Sequence, residues 1–280
     1  MKRPAILMIF AVLIGLAATL SALGQDQKKD APAATPAPAP APGKHLPQAK
    51  TDAEFAAYKA AVSSVTPEAM EKAADDFSTN YPTSEIKILI YKQAMRTYQN
   101  ANKPDKTLDM SRKTLSFDPD DPEALVNVAQ LLAERTRSTD LDKDQKYAEA
   151  QKDAEKALQT VDTDLVVNPG TPQEQIDQYK AALRSNAYNA IGIMYLNKDT
   201  KEDYAKAEDN LRKSLAAMPA QPDPVTVLQL ALALDKQDKY TDALTEANRA
   251  VEMTKEGNPV GDSARREQSR LKSLTANSIK

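Results

Sequence analysis

The sequence predicts an all-α protein, an α-solenoid of antiparallel helix-turn-helix units, on three observations. Residues 186–250 carry one spaced pattern twice: Tyr188, Ile191, Gly192 and Tyr195 followed by Ala207, Leu211 and Leu215, then Val227, Leu230, Ala231 and Leu234 followed by Ala243, Ala247 and Ala250. Such recurrence marks units that cannot bury an apolar face alone and therefore stack. A step of 34 residues carries Tyr91, Ala94, Met95 and Tyr98 onto Leu125, Val128, Ala129 and Leu132, so the period also holds upstream. Finally, aromatic residues are only 5% and Trp is absent, while the chain is dominated by Ala, Leu, Lys, Asp and Glu, most of which lose little freedom in a helix. A chain of 280 residues exceeds the usual roughly 100–200 residues per domain, but a stack grows along one axis and escapes that bound.

The N-terminal residues stand outside the array. Lys2-Arg3, an apolar run from Ala5 to Leu16 and the small residues Ala22 and Gly24 read as a secretory signal peptide over 1–24, cut at Gly24–Gln25. Export to the periplasm or outside the cell is expected. The run approaches the ~20 residues that span a bilayer, so an uncleaved inner-membrane anchor is the alternative. Residues 25–50 are expected to be a disordered, Ala/Pro-rich linker. Within it APAATPAPAPAPG over 31–43 favours an extended chain of ~3.1 Å per residue that builds no core. His45, the single histidine, reads as a solvated linker residue.

The repeat domain is expected over 51–260. Thr51 or Asp52 can cap a first helix carrying Phe55, Tyr58, Ala61 and Val62 on one side. Thr66 and Pro67 can open a second with Met70, Ala73, Ala74 and Phe77. The third presents Tyr91, Ala94, Met95 and Tyr98, and after a turn at 102–105 its partner carries Leu108, Ser111 and Leu115. In the next unit Tyr147, Ala150, Ala154 and Ala157 repeat the spacing of Tyr240, Ala243, Ala247 and Ala250 but arrive nine residues late. Residues 135–146 therefore form an enlarged loop, which chain entropy tolerates at about 0.6 kcal/mol per doubling. A breaker cluster at 168–172 precedes Ile176, Tyr179, Ala182 and Leu183, whose spacing runs unbroken into Tyr188. One long helix from Gln173 to Asn197 follows, its first half overhanging a normal unit and available to cover a neighbour or to present a contact surface. Tyr204 and Tyr240 lead the second helices of the last two units. A breaker at 255–259 then introduces a polar tail, 261–280, expected to cap the stack.

Gly192, Ala129, Ala231 and Met95 share one position, where a small residue lets paired helices approach; Met95 is expected to mark looser packing. No enzyme is indicated. The lone histidine, absence of cysteine and seven scattered glycines exclude a Ser/His/acid set, a thiolate nucleophile, a Cys-ligated zinc and a phosphate loop, and suggest no cofactor or metal. A net charge of −3, or −5 once Lys2 and Arg3 are removed, lacks the dense basic face of a nucleic-acid binder. Tyr91, Tyr98, Tyr188 and Tyr195 read as packing residues, and Glu149, Asp153, Glu208 and Asp209 as parts of a solvated face.

These patterns resemble the tetratricopeptide repeat over about 67–255, as four units and a partial leading one. The junction from Phe77 to Ser84 is similar to that of exported bacterial members that resemble outer-membrane assembly factors. The resemblance implies a right-handed superhelix and a non-catalytic scaffold binding a protein or peptide partner in a groove lined by the first helix of each unit. For an exported chain, that means an envelope scaffold, or a membrane-anchored assembly factor if the leader stays. Carried onto this sequence, the groove positions are Lys92, Arg96, Gln99, Asn127, Gln130, Asn186, Asn189, Ile193, Leu228 and Leu232, basic and polar at one end and apolar at the other. The Lys and Asn set with which some members clamp a terminal carboxylate is not reproduced. A competing reading, an enzyme or small-ligand-binding protein, has the 173–187 overhang close a pocket.

Overall fold

A computed structural model describes residues 44–277; the signal-peptide reading and most of the linker lie outside the described residues. Among them are eleven α-helices and no strand. Helices α1 (Asp52–Val62) and α2 (Pro67–Asn80) make the leading pair, and α3 (Lys87–Asn100) and α4 (Pro104–Phe117) the next. Three further pairs follow: α5 (Pro122–Arg135) with α6 (Lys143–Thr160), α7 (Gln173–Lys198) with α8 (Lys201–Ala217), and α9 (Pro224–Asp235) with α10 (Tyr240–Glu252). Helix α11 (Pro259–Asn277) closes the array. Each helix packs on the next in sequence, the arrangement of stacked helix pairs. No described helix is long and apolar enough to cross a membrane.

Local chemistry sets the boundaries. Thr51, Thr66, Asp121, Thr200 and Asp223 cap α1, α2, α5, α8 and α9, each side chain accepting a first-turn backbone N–H. Proline sits in the first turn of α2, α4, α5 and α9, where its missing N–H removes no helical bond. Within three of the pairs the turn places Asn102, Asp199 or Asp238 in the left-handed region, at φ 53°, 60° and 61°. Asn and Asp tolerate this conformation better than other non-glycine residues.

The shared small position lies between the helices of a pair. A Cβ on Gly192 would stand 2.7 Å from Leu211 Cγ, so α7 and α8 meet through the bare backbone. Ala129, Ala231 and Met95 are fully buried. Met95 shows no solvent-facing slack, and its Sδ accepts a bond from Asn127 Nδ2 at 3.3 Å.

The overhang has a definite place. The first half of α7 packs on α5 and α6, with Tyr179 and Leu183 against Leu125, Val126 and Val161. Arg184 and Lys180 reach Asp162 at 2.5 and 3.4 Å. Helix α5 is in consequence buried nearly all round: only Gln130, Glu134 and Arg135 escape. The enlarged loop is shorter than expected, 136–142, and Tyr147 fastens it by donating to the Thr136 carbonyl at 3.3 Å.

Residues 44–50 have no regular structure, yet they run as a strap along the edge where one pair hands over to the next. Lys44 N–H donates to the Thr163 carbonyl at 3.1 Å, and its ammonium pairs with Asp118 and, at 3.4 Å, with Asp164. Gln48 N–H meets Glu85 at 3.4 Å, and Lys50 Nζ donates to the Thr83 carbonyl at 2.8 Å. His45 is 69% exposed, 3.5 Å from Glu85.

Candidate functional site

The ten nominated positions fall on the first helices α3, α5, α7 and α9. None is exposed: Lys92, Asn127, Asn189, Ile193 and Leu228 are buried, and Arg96, Gln99, Gln130, Asn186 and Leu232 half-buried. Much of the polar chemistry is spent on joining neighbouring units. Lys92 Nζ lies 2.5 Å from Asp121 and 3.2 Å from Glu123, and Arg96 grips Glu123 with two bonds of 2.6 and 2.7 Å. Gln99 donates to Asn127 at 3.3 Å. Two units further on, Asn189 Nδ2 donates to Thr226 Oγ1 at 3.0 Å and to Gln229 Oε1 at 2.8 Å.

The basic end expected from Lys92 and Arg96 is thus neutralised by the acids that open α5. Burial alone would disfavour the charge on Lys92, but Asp121 and Glu123 overrule it and hold its pKa above the ordinary value. Burial likewise acts against ionised Glu123, and Arg96 and Lys92 prevail, keeping it well below the carboxylate range. Tyr179, from the overhang, joins the cluster: burial first, then Glu123, pushes its hydroxyl well up. The overhang thus packs on α5 and brings Tyr179 toward this cluster, which its own ion pairs close, while the Arg96 side chain stays 39% exposed.

A second, uncovered stretch remains. On α5, Asn127, Gln130 and Glu134 follow one stripe at i, i+3, i+7 spacing, and the last two are half-buried. Asn186 on α7, Asp223 at the N-cap of α9, and Gln229 and Leu232 on α9 are half-buried as well. Asp223 accepts from Thr226 N–H at 2.6 Å and Thr226 Oγ1 at 2.7 Å, closing a chain Asn189–Thr226–Asp223. Burial pushes Glu134 up to about 7, Arg135 opposing the shift and Asp223 adding to it. Asp223 is also raised by burial, against the bonds from Thr226. The Oδ1 of Asn189, a residue 2% exposed, has no hydrogen-bond donor. Sequence reading missed Glu134 and Asp223; continuing the Asn127, Gln130 stripe by one turn would have found the first, and the cap before Pro224 the second.

Elsewhere, Tyr91 and Tyr98 are buried and donate to Asp75 and Glu71 on α2. Glu149, Glu208 and Asp209 pair with Arg112, Arg212 and Lys213 at 2.8, 3.0 and 2.7 Å. Burial, and then Glu149, pushes Asp153 up to about 6. A shallow depression of about 400 Å³ lies between α2 and α4, lined by Glu71, Met110 and Lys113, away from the overhang. No group of three metal-ligating side chains occurs among the described residues.

No known family's sequence profile matches the chain, and no curated protein matches it. Solved structures do. PilW, a widely conserved type IV pilus biogenesis factor, is similar at 18% identity over 82% of this chain and 94% of its own, with a TM-score of 0.46. Acl4, an assembly chaperone of RpL4, is similar at 13% identity over 81% of this chain and 99% of its own, with a TM-score of 0.40.

Proposed function

We propose that the protein is a non-catalytic, exported scaffold of the bacterial envelope, a tetratricopeptide-like array that holds a protein partner on the open stretch formed by α5, α7 and α9. The observation that carries this reading is the division of the first-helix face. Its α3 and α5 end is closed by the ion pairs of Lys92 and Arg96 with Asp121 and Glu123, whereas Gln130, Glu134, Asn186, Asp223, Gln229 and Leu232 are half-buried with no ion pair across them among the described residues. A mixed polar and apolar surface on rigid helices suits recognition of an extended segment. Export rests on the leader-like residues 1–24.

A photo-crosslinking residue placed in turn at Gln130, Leu232 and Gln99, with irradiation in intact cells, tests the reading. Gln130 and Leu232 should capture one common protein and Gln99 none. Capture from Gln99 alone, or from no position, overturns it. N-terminal sequencing of the purified chain should begin at Gln25; a chain beginning at Met1 would favour the anchored form.

A further inference from the structure

We infer that the leading edge of the array is a self-association surface: two copies of this chain meet through the outer face of α1, helix against antiparallel helix, about a two-fold axis beside Ala56. This surface is separate from the open stretch on α5, α7 and α9, and the two readings stand or fall independently.

The two ends of the stack differ. Helix α11 closes one end with a polar outer face, on which Arg266, Ser269, Arg270, Lys272 and Ser273 are exposed, as a terminal cap requires for solubility. Helix α1 opens the other end and packs on α2 and α3 through the side that carries Ala57, Tyr58, Ala61 and Val62. Its outer side presents Asp52, Phe55, Ala56, Lys59, Ala60 and Ser63, all exposed. Phe55 is 49% exposed, its ring centred 6.3 Å from that of Tyr58 with Lys59 Nζ at 4.9 Å, and Val65, just past the helix, is 91% exposed. Apolar side chains on an uncapped end are surface that stacking against another helix would bury.

The charges say which helix. Among the described residues neither Asp52 nor Lys59 has an ion pair. They lie two turns apart on the outer side, the acid at the start of α1 and the lysine toward its end. A helix with that order is complementary to itself run backwards. At 1.5 Å per residue, an antiparallel copy centred on Ala56 sets Asp52 within about one residue of Lys59 of the second copy. Symmetry repeats the pair, so one contact makes two. The same axis brings the two Phe55 rings to one side of the seam. Ala56 and Ala60 let the backbones approach, as Ala243 and Ala247 do where α10 packs on α9. An isologous contact of this kind closes after two copies. Helix α1 has 11 residues; at about 16 Å in length it is too short to supply the ~800 Å² per partner of a tight dimer, so the association is weak.

The chain beginning at Gln25 is followed by sedimentation velocity from about 10 to about 300 µM, at low salt, where exposed charges act most strongly. A monomer–dimer equilibrium should appear. Asp52→Lys alone and Lys59→Glu alone should each weaken it about tenfold or more, since each sets like charges opposite one another. An equimolar mixture of the two variants should associate as the wild type does, because both pairs are then of opposite sign; a misfolded variant would gain nothing from mixing. A photo-crosslinking residue at Ala56, irradiated in intact cells, should join two copies of this chain. The inference is overturned by monomer at every concentration, by single variants that associate undiminished, or by a mixture no stronger than its components. Capture at Ala56 of another protein, or of residues 25–43 of the same chain, overturns it as well. None of these results bears on capture from Gln130 and Leu232.

Discussion

Replacing Gly192 with alanine probes the closest approach in the fold. The added Cβ would lie 2.7 Å from Leu211 Cγ and 2.8 Å from its Cδ2, against ordinary carbon contacts of about 3.5–4.0 Å. Leu211 must therefore move by about 1 Å. It is fully buried among Ala207, Leu230, Ala231 and Leu234, with no open side to move toward. Overpacking of this kind costs roughly 1–3 kcal/mol. Alanine recovers about 0.5–1 kcal/mol of helix propensity over glycine, so a net loss of about 0.5–2 kcal/mol is expected in urea denaturation followed by circular dichroism. Leu211→Ala alone should cost about 2–5 kcal/mol. In the alanine background it should cost about 1 kcal/mol less, because the new methyl group uses the vacated space. Stabilisation by Gly192→Ala, with strictly additive effects in the double variant, would refute the packing of α7 on α8.

Three other outcomes follow from the polar contacts. Lys92→Met, which leaves Asp121 and Glu123 with less counter-charge, should cost about 3 kcal/mol in the same denaturation, and adding Asp121→Asn and Glu123→Gln should recover most of it. Glu134 holds a proton in the folded chain between about pH 4.5 and 7 that the unfolded chain has released, so stability should fall as pH rises through that window and level off above it. Glu134→Gln should reduce that slope and stabilise the protein at pH 8 by about 1 kcal/mol, the shift being discounted for solvent screening. A chain starting at residue 51 loses the strap bonds of Lys44, Gln48 and Lys50; its melting point should fall by a few degrees, for about 1 kcal/mol of half-exposed ion pairing.

The helices were legible because their signals are local. Caps at Thr51 and Thr66, the proline at Pro67 and the recurrence behind Gly192 each act within a turn or two of chain. The long helix through Tyr179 was equally legible, since Ile176 to Tyr188 keeps one helical spacing. Where that helix would lie was not. Its contact with α5 is set by packing between residues more than forty apart, which no periodicity records. For the same reason Lys92 and Arg96 read as projecting cations until Asp121 and Glu123, almost one repeat away, came into reach. Spacing finds the face; only the fold tells which half of it is closed.

Whether α7 brings Tyr179 to the α3 and α5 end can be measured directly, since the chain contains no cysteine to interfere. The double variant Arg96→Cys with Tyr179→Cys, treated with a short bismaleimide, should form an intramolecular crosslink seen by mass spectrometry of the digest. Arg96→Cys with Gln229→Cys should not. Absence of the first crosslink, or equal yield of both, would contradict the placement of the overhang beside the closed half of the first-helix face.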